Sequence, residues 1–196
     1  MLYRQSGPAA WLMAPSQATG VYFFPSREWP LRLLRYLKLL RINRLLEAGA
    51  GRDYLIGALA PLGNTSGIIF RVVNKGEGEF QSGLPVNQRV ERGNVFQTIQ
   101  EFRPEVLLCD WPPGQSFAGI CQADFLRYIM VVGEAGGGAT GVPQDWQTLR
   151  HRESPALSRY GRGRTGTEKH RVTVFYGYSR RPSPGHSGWR CDWSEP

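Results

Sequence analysis

The chain is poor in the residues that hold metals or cross-link a fold. Its 196 residues include three cysteines and three histidines. Cys109, Cys121 and Cys191 are odd in number and scattered, which reads as free thiols rather than a disulfide framework. With His151, His170 and His186 they make no Cys-x-x-Cys or His-x-x-x-His spacing, so no metal site is expected. Long apolar runs are missing too. The longest, such as Tyr128–Val132, fall far short of the roughly 20 residues that cross a bilayer, so no membrane association is expected. Pro8, Pro15 and Pro25 interrupt the first segment, which has no apolar core of the secretory kind, and a cytoplasmic location is expected.

Acidic residues are also scarce. Sixteen Asp and Glu stand against 24 Lys and Arg, a net charge of +8. The excess is uneven: residues 150–181 hold nine cations against Glu153 and Glu168, and residues 27–44 hold six against Glu28. Two basic segments on a mildly acidic body suggest an anionic partner such as nucleic acid; an arginine-rich solvated surface explains them equally well.

With 41% hydrophobic and 20% charged residues, the composition is globular and the length is that of one domain. Residues 1–26, rich in Pro, Gly, Ser and aromatics without periodicity, read as an arm or lid. Residues 27–181 carry the periodic pattern of an α/β domain, and 182–196, with Pro182, Pro184 and Gly185, read as a flexible tail. Residues 28–40 read as a helix, with Leu33, Leu34, Leu37 and Leu40 on one side and Arg32, Arg35 and Lys38 on the other. Short apolar runs follow at Leu45-Leu46, Ile68–Val73, 89–93, Val106–Leu108 and Tyr128–Val132. Near-continuous runs separated by crossovers are what a parallel sheet covered on both faces requires. Residues 156–181 read as two strands joined near Gly166-Thr167-Glu168, with Val172, Val174 and Tyr176 alternating in the second, an antiparallel hairpin at the sheet's far edge.

The most informative stretch is 45–60, where an apolar strand runs into Glu47-Ala48-Gly49-Ala50-Gly51 and a helix pattern with Leu55, Leu59 and Leu62 on one face follows. Glycines at such a turn let backbone approach a ligand and aim a helix N-terminus at it. In an open α/β sheet the ligand lies beyond the carboxyl ends of the strands. Here those ends read Glu47 to Gly51, Asn74, Asn94, Asp110 and Glu134, each polar or glycine where an apolar run stops.

Over roughly residues 28–181 the chain resembles the class I S-adenosylmethionine-dependent methyltransferases. Glu47-x-Gly49-x-Gly51 matches their first motif, whose backbone lies against the methionine and ribose of the cofactor. The resemblance implies a doubly wound, mostly parallel seven-stranded sheet of Rossmann-like type with a C-terminal antiparallel hairpin. It implies S-adenosyl-L-methionine as cofactor, with Asn74 at the ribose position and Gly93-Asn94-Val95 at the adenine position. Asp110, ending the fourth strand, would face the methyl group and is the first candidate for a catalytic base, ahead of Glu134 and His151. Asp110-Trp111-Pro112-Pro113 partly matches the Asp/Asn-Pro-Pro-aromatic element of amino-methyltransferases, so Trp111, Pro112, Pro113 and Glu134 are the expected border of the acceptor pocket. The acceptor itself, a small molecule, protein or RNA, stays open.

Three positions depart from the family pattern. Asp53 stands where a third glycine is common, and Asn74 and Asn94 replace carboxylates, so their hydrogen bonds lack charge assistance. The alternative reading is therefore a catalytically degenerate domain of the same fold that binds RNA or another anionic partner through its basic segments. A dehydrogenase-like nucleotide-binding protein is disfavoured by the closing antiparallel hairpin.

Overall fold

The computed structural model describes residues 28–49, 55–57, 59, 67–74, 90–110, 120, 123–133, 135–136, 142–155, 157 and 172–176. The segments read as an N-terminal arm and a C-terminal tail lie outside the described residues. The order of elements is α1 (Trp29–Leu39), β1 (Arg44–Ala48), β2 (Ile69–Asn74), β3 (Val90–Arg92), α2 (Val95–Phe102), β4 (Val106–Asp110), β5 (Tyr128–Val132), α3 (Pro143–Thr148), β6 (His151–Glu153) and β7 (Val172–Tyr176). Residues 55–57 and 59 are helical as well.

The strands form one seven-stranded sheet in the order β3-β2-β1-β4-β5-β7-β6. The first five in that order are parallel, β7 is antiparallel to β5, and β6 is antiparallel to β7. This is the expected mostly parallel sheet with an antiparallel C-terminal end. One detail differs: β7 pairs with His151–Glu153, upstream of the 156–181 segment in which both hairpin strands were expected. Three residues with no apolar member carry no strand signal, and β6 forms because β7 offers it a free edge. β7 itself is buried at every position, as suits a strand between two neighbours.

Side-chain alternation divides the core into two layers, one on each face of the sheet. Leu45, Val72, Val106, Leu108, Met130, Val132, Val172 and Val174 point to the face covered by α1 and by the helical residues Leu55, Ile56 and Leu59. Leu46, Ala48, Val73, Leu107, Cys109, Ile129, Val131 and Phe175 point to the other, where Ile99 of α2, Ile120, Leu126, Ala135 and Leu149 cover them. Because both faces are dry, the central strands need apolar residues at consecutive positions, which is why they were readable as runs.

α1 forms as its pattern predicts. Pro30 sits in the first turn, where a missing N–H costs nothing, and Leu33, Leu34 and Leu37 are buried. The helix ends with Ile42 N–H donating to Leu37 O at 3.0 Å and Arg41 N–H to Lys38 O at 2.9 Å, with Arg41 at φ 53°. That is a Schellman ending with arginine in the left-handed position glycine usually takes. Trp29, almost wholly buried, donates from Nε1 to Leu157 O at 3.0 Å and so ties the start of α1 to the chain beyond β6.

Candidate functional site

The order of strands reverses between β1 and β4: from β1 the chain winds outward through β2 and β3, then crosses back to β4 and β5. A crevice for a ligand opens at such a switch point, beyond the carboxyl ends. Register places those ends in line. Glu91, Val73, Ala48, Cys109, Val131, Thr173 and Glu153 make one row across the sheet. The next residue outward is Asn74 on β2, Gly49 after β1, Asp110 on β4 and Val132 on β5. Gly49 and Asp110 therefore flank the switch point, and Asn74 is one strand away, at spacings of about 4.8 Å.

Gly49 turns the chain with φ 73°, a conformation that a side chain resists, while its N–H donates to Val73 O at 3.1 Å. The turn thus leaves β1 without losing its hydrogen bond to β2. Glu47, two residues inside the rim, is fully buried, and its Oε2 accepts from Ile56 N–H at 3.1 Å. Its carboxyl group holds the helix that follows the glycine turn against β1. Asn74 is half-buried, and its carbonyl accepts from Gly93 N–H at 3.1 Å, which locks the end of β2 to the end of β3.

Asn94 is the N-cap of α2. Its Oδ1 accepts from Phe96 N–H at 2.8 Å, and its carbonyl accepts from Thr98 N–H at 3.0 Å and Thr98 Oγ1 at 2.9 Å. Val95 is half-buried against the core layer that holds Ile99. On the outer flank Arg71 lies against Glu91 at 2.6 Å and Glu101 at 3.7 Å, which joins β2, β3 and α2. Hydrogen bonding to Glu91 holds the Arg71 guanidinium above its usual range, so its charge is fixed at any working pH.

Gly51, Asp53, Trp111, Pro112, Pro113 and Glu134 lie outside the described residues, and Asp110 is placed by its backbone alone. His151 is a correction. It pairs in register with Phe175, which pairs with Ile129, so it stands near the amino end of the sheet. Three residues of strand, about 10 Å, separate that level from Val132 at the rim. Its Nδ1 lies 2.8 Å from Leu149 O and its ring stacks on Trp146 with centroids 3.7 Å apart, so it packs α3 against β6 instead of serving as a base in the crevice.

The loop after β5 is anchored where it is described. Ala135 is buried in the core, and a Cβ on Gly136 would lie 2.8 Å from Trp146 Cδ2. One rim residue went unnoticed in the sequence: Gly133, buried at φ 133°, ends β5 beside the crevice. Its sequence signal is a glycine directly after the apolar run Tyr128–Val132. Among the described residues no group of three or more His, Cys, Asp or Glu could hold a metal ion. No helix among them is long and apolar enough to cross a membrane.

The sequence matches no protein-family model, and no curated protein matches it. Solved structures do match. A candidate caffeoyl-CoA O-methyltransferase from Staphylococcus aureus superposes with a TM-score of 0.53 at 11% identity, over 85% of this chain and 90% of that one. The cofactor-bound protein Rv0187 from MTB superposes with a TM-score of 0.50 at 15% identity, over 84% of this chain and 88% of that one. At such identities the likeness is one of fold.

Proposed function

From a chain that has the class I methyltransferase fold, we propose that the protein is an S-adenosylmethionine-dependent methyltransferase. The observation that carries the reading is the single rim row in which Gly49, Asn74 and Asp110 stand on neighbouring strands at the switch point. The residues present suit this cofactor. Gly49 offers backbone at a position free of a side chain, and Asn74 and Asn94 offer amides that pair with ribose hydroxyls and with the adenine edge. Because the Asn94 Oδ1 already caps α2, its N–H2 is the better placed partner for adenine.

When bound, the cofactor supplies a methyl group on an electron-poor sulfonium. The protein's own tasks are to hold donor and acceptor in line and to exclude water. Asp110, at the carboxyl end of β4 beside the turn at Gly49, is the residue we assign to taking up the acceptor's proton. Trp111, Pro112, Pro113 and Glu134 follow β4 and β5 in the chain, and the reading makes them the border of the acceptor pocket. Glu47, Gly51 and Val95 complete the cofactor side, Glu47 by fixing the helix after the turn. A cytoplasmic location accords with the scattered thiols.

The test is calorimetric titration of the purified chain with S-adenosylmethionine and with S-adenosylhomocysteine. Saturable binding of both supports the reading, and absence of binding at millimolar ligand refutes it. Gly49→Val is a poor probe, because a β-branched residue at φ 73° would disturb the turn itself.

A further inference from the structure

α1 covers one face of the sheet and turns a second face outward. Trp29, Leu33, Leu34 and Leu37 are buried on the sheet side. On the other side Leu31, Arg32, Arg35, Lys38 and Leu39 are exposed, Leu31 at 44% and Leu39 at 72%. At about 3.6 residues per turn these five fall within an arc of about 120°, in the order Lys38, Leu31, Arg35, Leu39, Arg32. Cations and leucines therefore interleave on one side of a helix about 16 Å long.

The fold does not use these groups. The side chains of Arg32, Arg35 and Lys38 make no hydrogen bond or ion pair among the described residues. The arc holds one acid, Glu28 at the N-cap, against three cations. The first turn has no acid, and Arg32 follows directly on it, at the end of the helix where the dipole disfavours a cation. Leu39, mostly in water, adds little to the core. A phosphate backbone would pair with the cations and leave both leucines uncovered. The arc carries no aromatic ring on which a base could stack, since Trp29 is buried and Tyr36 half-buried outside it. An anionic bilayer surface meets both demands: its headgroups pair with the cations, and the leucines enter the boundary of the acyl chains.

We propose that the outer face of α1 is a docking surface for an anionic lipid bilayer. The chain lies on the membrane without spanning it, so it needs no apolar run of about 20 residues. The sequence-based expectation of no membrane association rests on the absence of such a run, which does not bear on a surface contact. The docking face and the crevice are separate, one over a face of the sheet and the other beyond its carboxyl ends. The inference does not depend on methyl transfer.

The experiment is cosedimentation of the full chain with phosphatidylcholine vesicles containing about 30% phosphatidylserine, at about 0.1 M salt. The unmodified chain should bind them, at least about tenfold more tightly than pure phosphatidylcholine, and should be released at about 0.5 M salt. Arg35→Gln should weaken binding about fivefold, the roughly 1 kcal/mol that one cation near an anionic leaflet contributes. Leu39→Ser should weaken it about fivefold as well, through lost apolar burial, and leave the salt dependence as it was. Arg92→Gln removes an exposed cation from β3, away from α1, and should leave binding unchanged. All three positions are exposed, so the variants should keep the Tm of the unmodified chain. An equal loss in Arg92→Gln would mean that net charge alone attracts the vesicles and would overturn the proposal. So would unchanged binding in Leu39→Ser, no binding by the unmodified chain, or displacement of the chain from the vesicles by an oligouridylate at equal phosphate concentration.

Discussion

Replacing Glu105 should separate what a carboxylate does for the backbone from what it does for a neighbouring cation. Its Oε2 accepts from Asn43 N–H at 2.6 Å and Arg44 N–H at 3.3 Å, while its Oε1 faces Arg127 Nη1 at 3.3 Å. Its own N–H donates to Arg44 O, and its carbonyl accepts from the N–H groups of Arg127 and Tyr128. One residue therefore gathers the starts of β1, β4 and β5. A hydrogen bond to a charged acceptor contributes about 1.5–3 kcal/mol, and the partly exposed setting places these two near the lower limit. The ion pair, with side chains 38% and 23% exposed, contributes at most about 1 kcal/mol. Glu105→Ala should thus cost about 3–4 kcal/mol, and Glu105→Gln, which keeps an acceptor oxygen, about 1 kcal/mol. In a chain of this length the Tm should fall by about 6–16 °C for Ala and 2–4 °C for Gln. Thermal unfolding followed by circular dichroism at low salt and in 0.5 M NaCl provides the check. Salt should narrow the gap between the unmodified chain and the Gln variant and leave the gap between Gln and Ala standing. Equal losses in the two variants would refute the reasoning, since the backbone bonds would then carry nothing.

What was legible in the sequence follows from which positions are dry. β4 and β5 were readable at Val106–Leu108 and Tyr128–Val132 because layers on both faces demand consecutive apolar residues. α1 was readable because one dry face imposes the helical period on Leu33, Leu34, Leu37 and Leu40. β6 was not: an edge strand of His, Arg and Glu is specified by its neighbour's free backbone, a long-range fact. The rim of the crevice was legible as a series of endings, and Gly49, Asn74 and Asp110 do end neighbouring strands. The use of each polar group was not. Glu47 and Asn94 precede helices, and a polar residue there serves a ligand or the helix's own N–H groups with the same sequence signature. The structure shows the second use at both, through Ile56 and Phe96. Glu105 gave no signal, since its backbone partners lie 62 and 61 positions away.

Arg41→Gly should raise stability by about 1 kcal/mol in urea unfolding, because glycine takes φ 53° without strain; a lower midpoint would mean that the arginine side chain contributes more than its backbone costs. Gly136→Ala should cost about 1–3 kcal/mol, since the new methyl meets Trp146 at 2.8 Å and the stacked His151 ring, 3.7 Å away, keeps the indole from retreating; an unchanged Tm would show the stack to be loose. Asn74→Asp is the sharpest probe of the cofactor side. If the residue that ends β2 pairs with ribose hydroxyls, a carboxylate there gains charge-assisted hydrogen bonds in place of neutral ones, about 1 kcal/mol. Calorimetry should show S-adenosylmethionine binding roughly fivefold tighter, with most of the gain lost on replacing ribose by a 2′,3′-dideoxyribose analogue, because the new charge acts through those hydroxyls. The backbone bond from Gly93 N–H to Asn74 O does not involve the side chain and should persist in the variant. Weaker binding with an unchanged Tm would mean that Asn74 faces a negative group, and the ribose would have to be placed elsewhere along the rim.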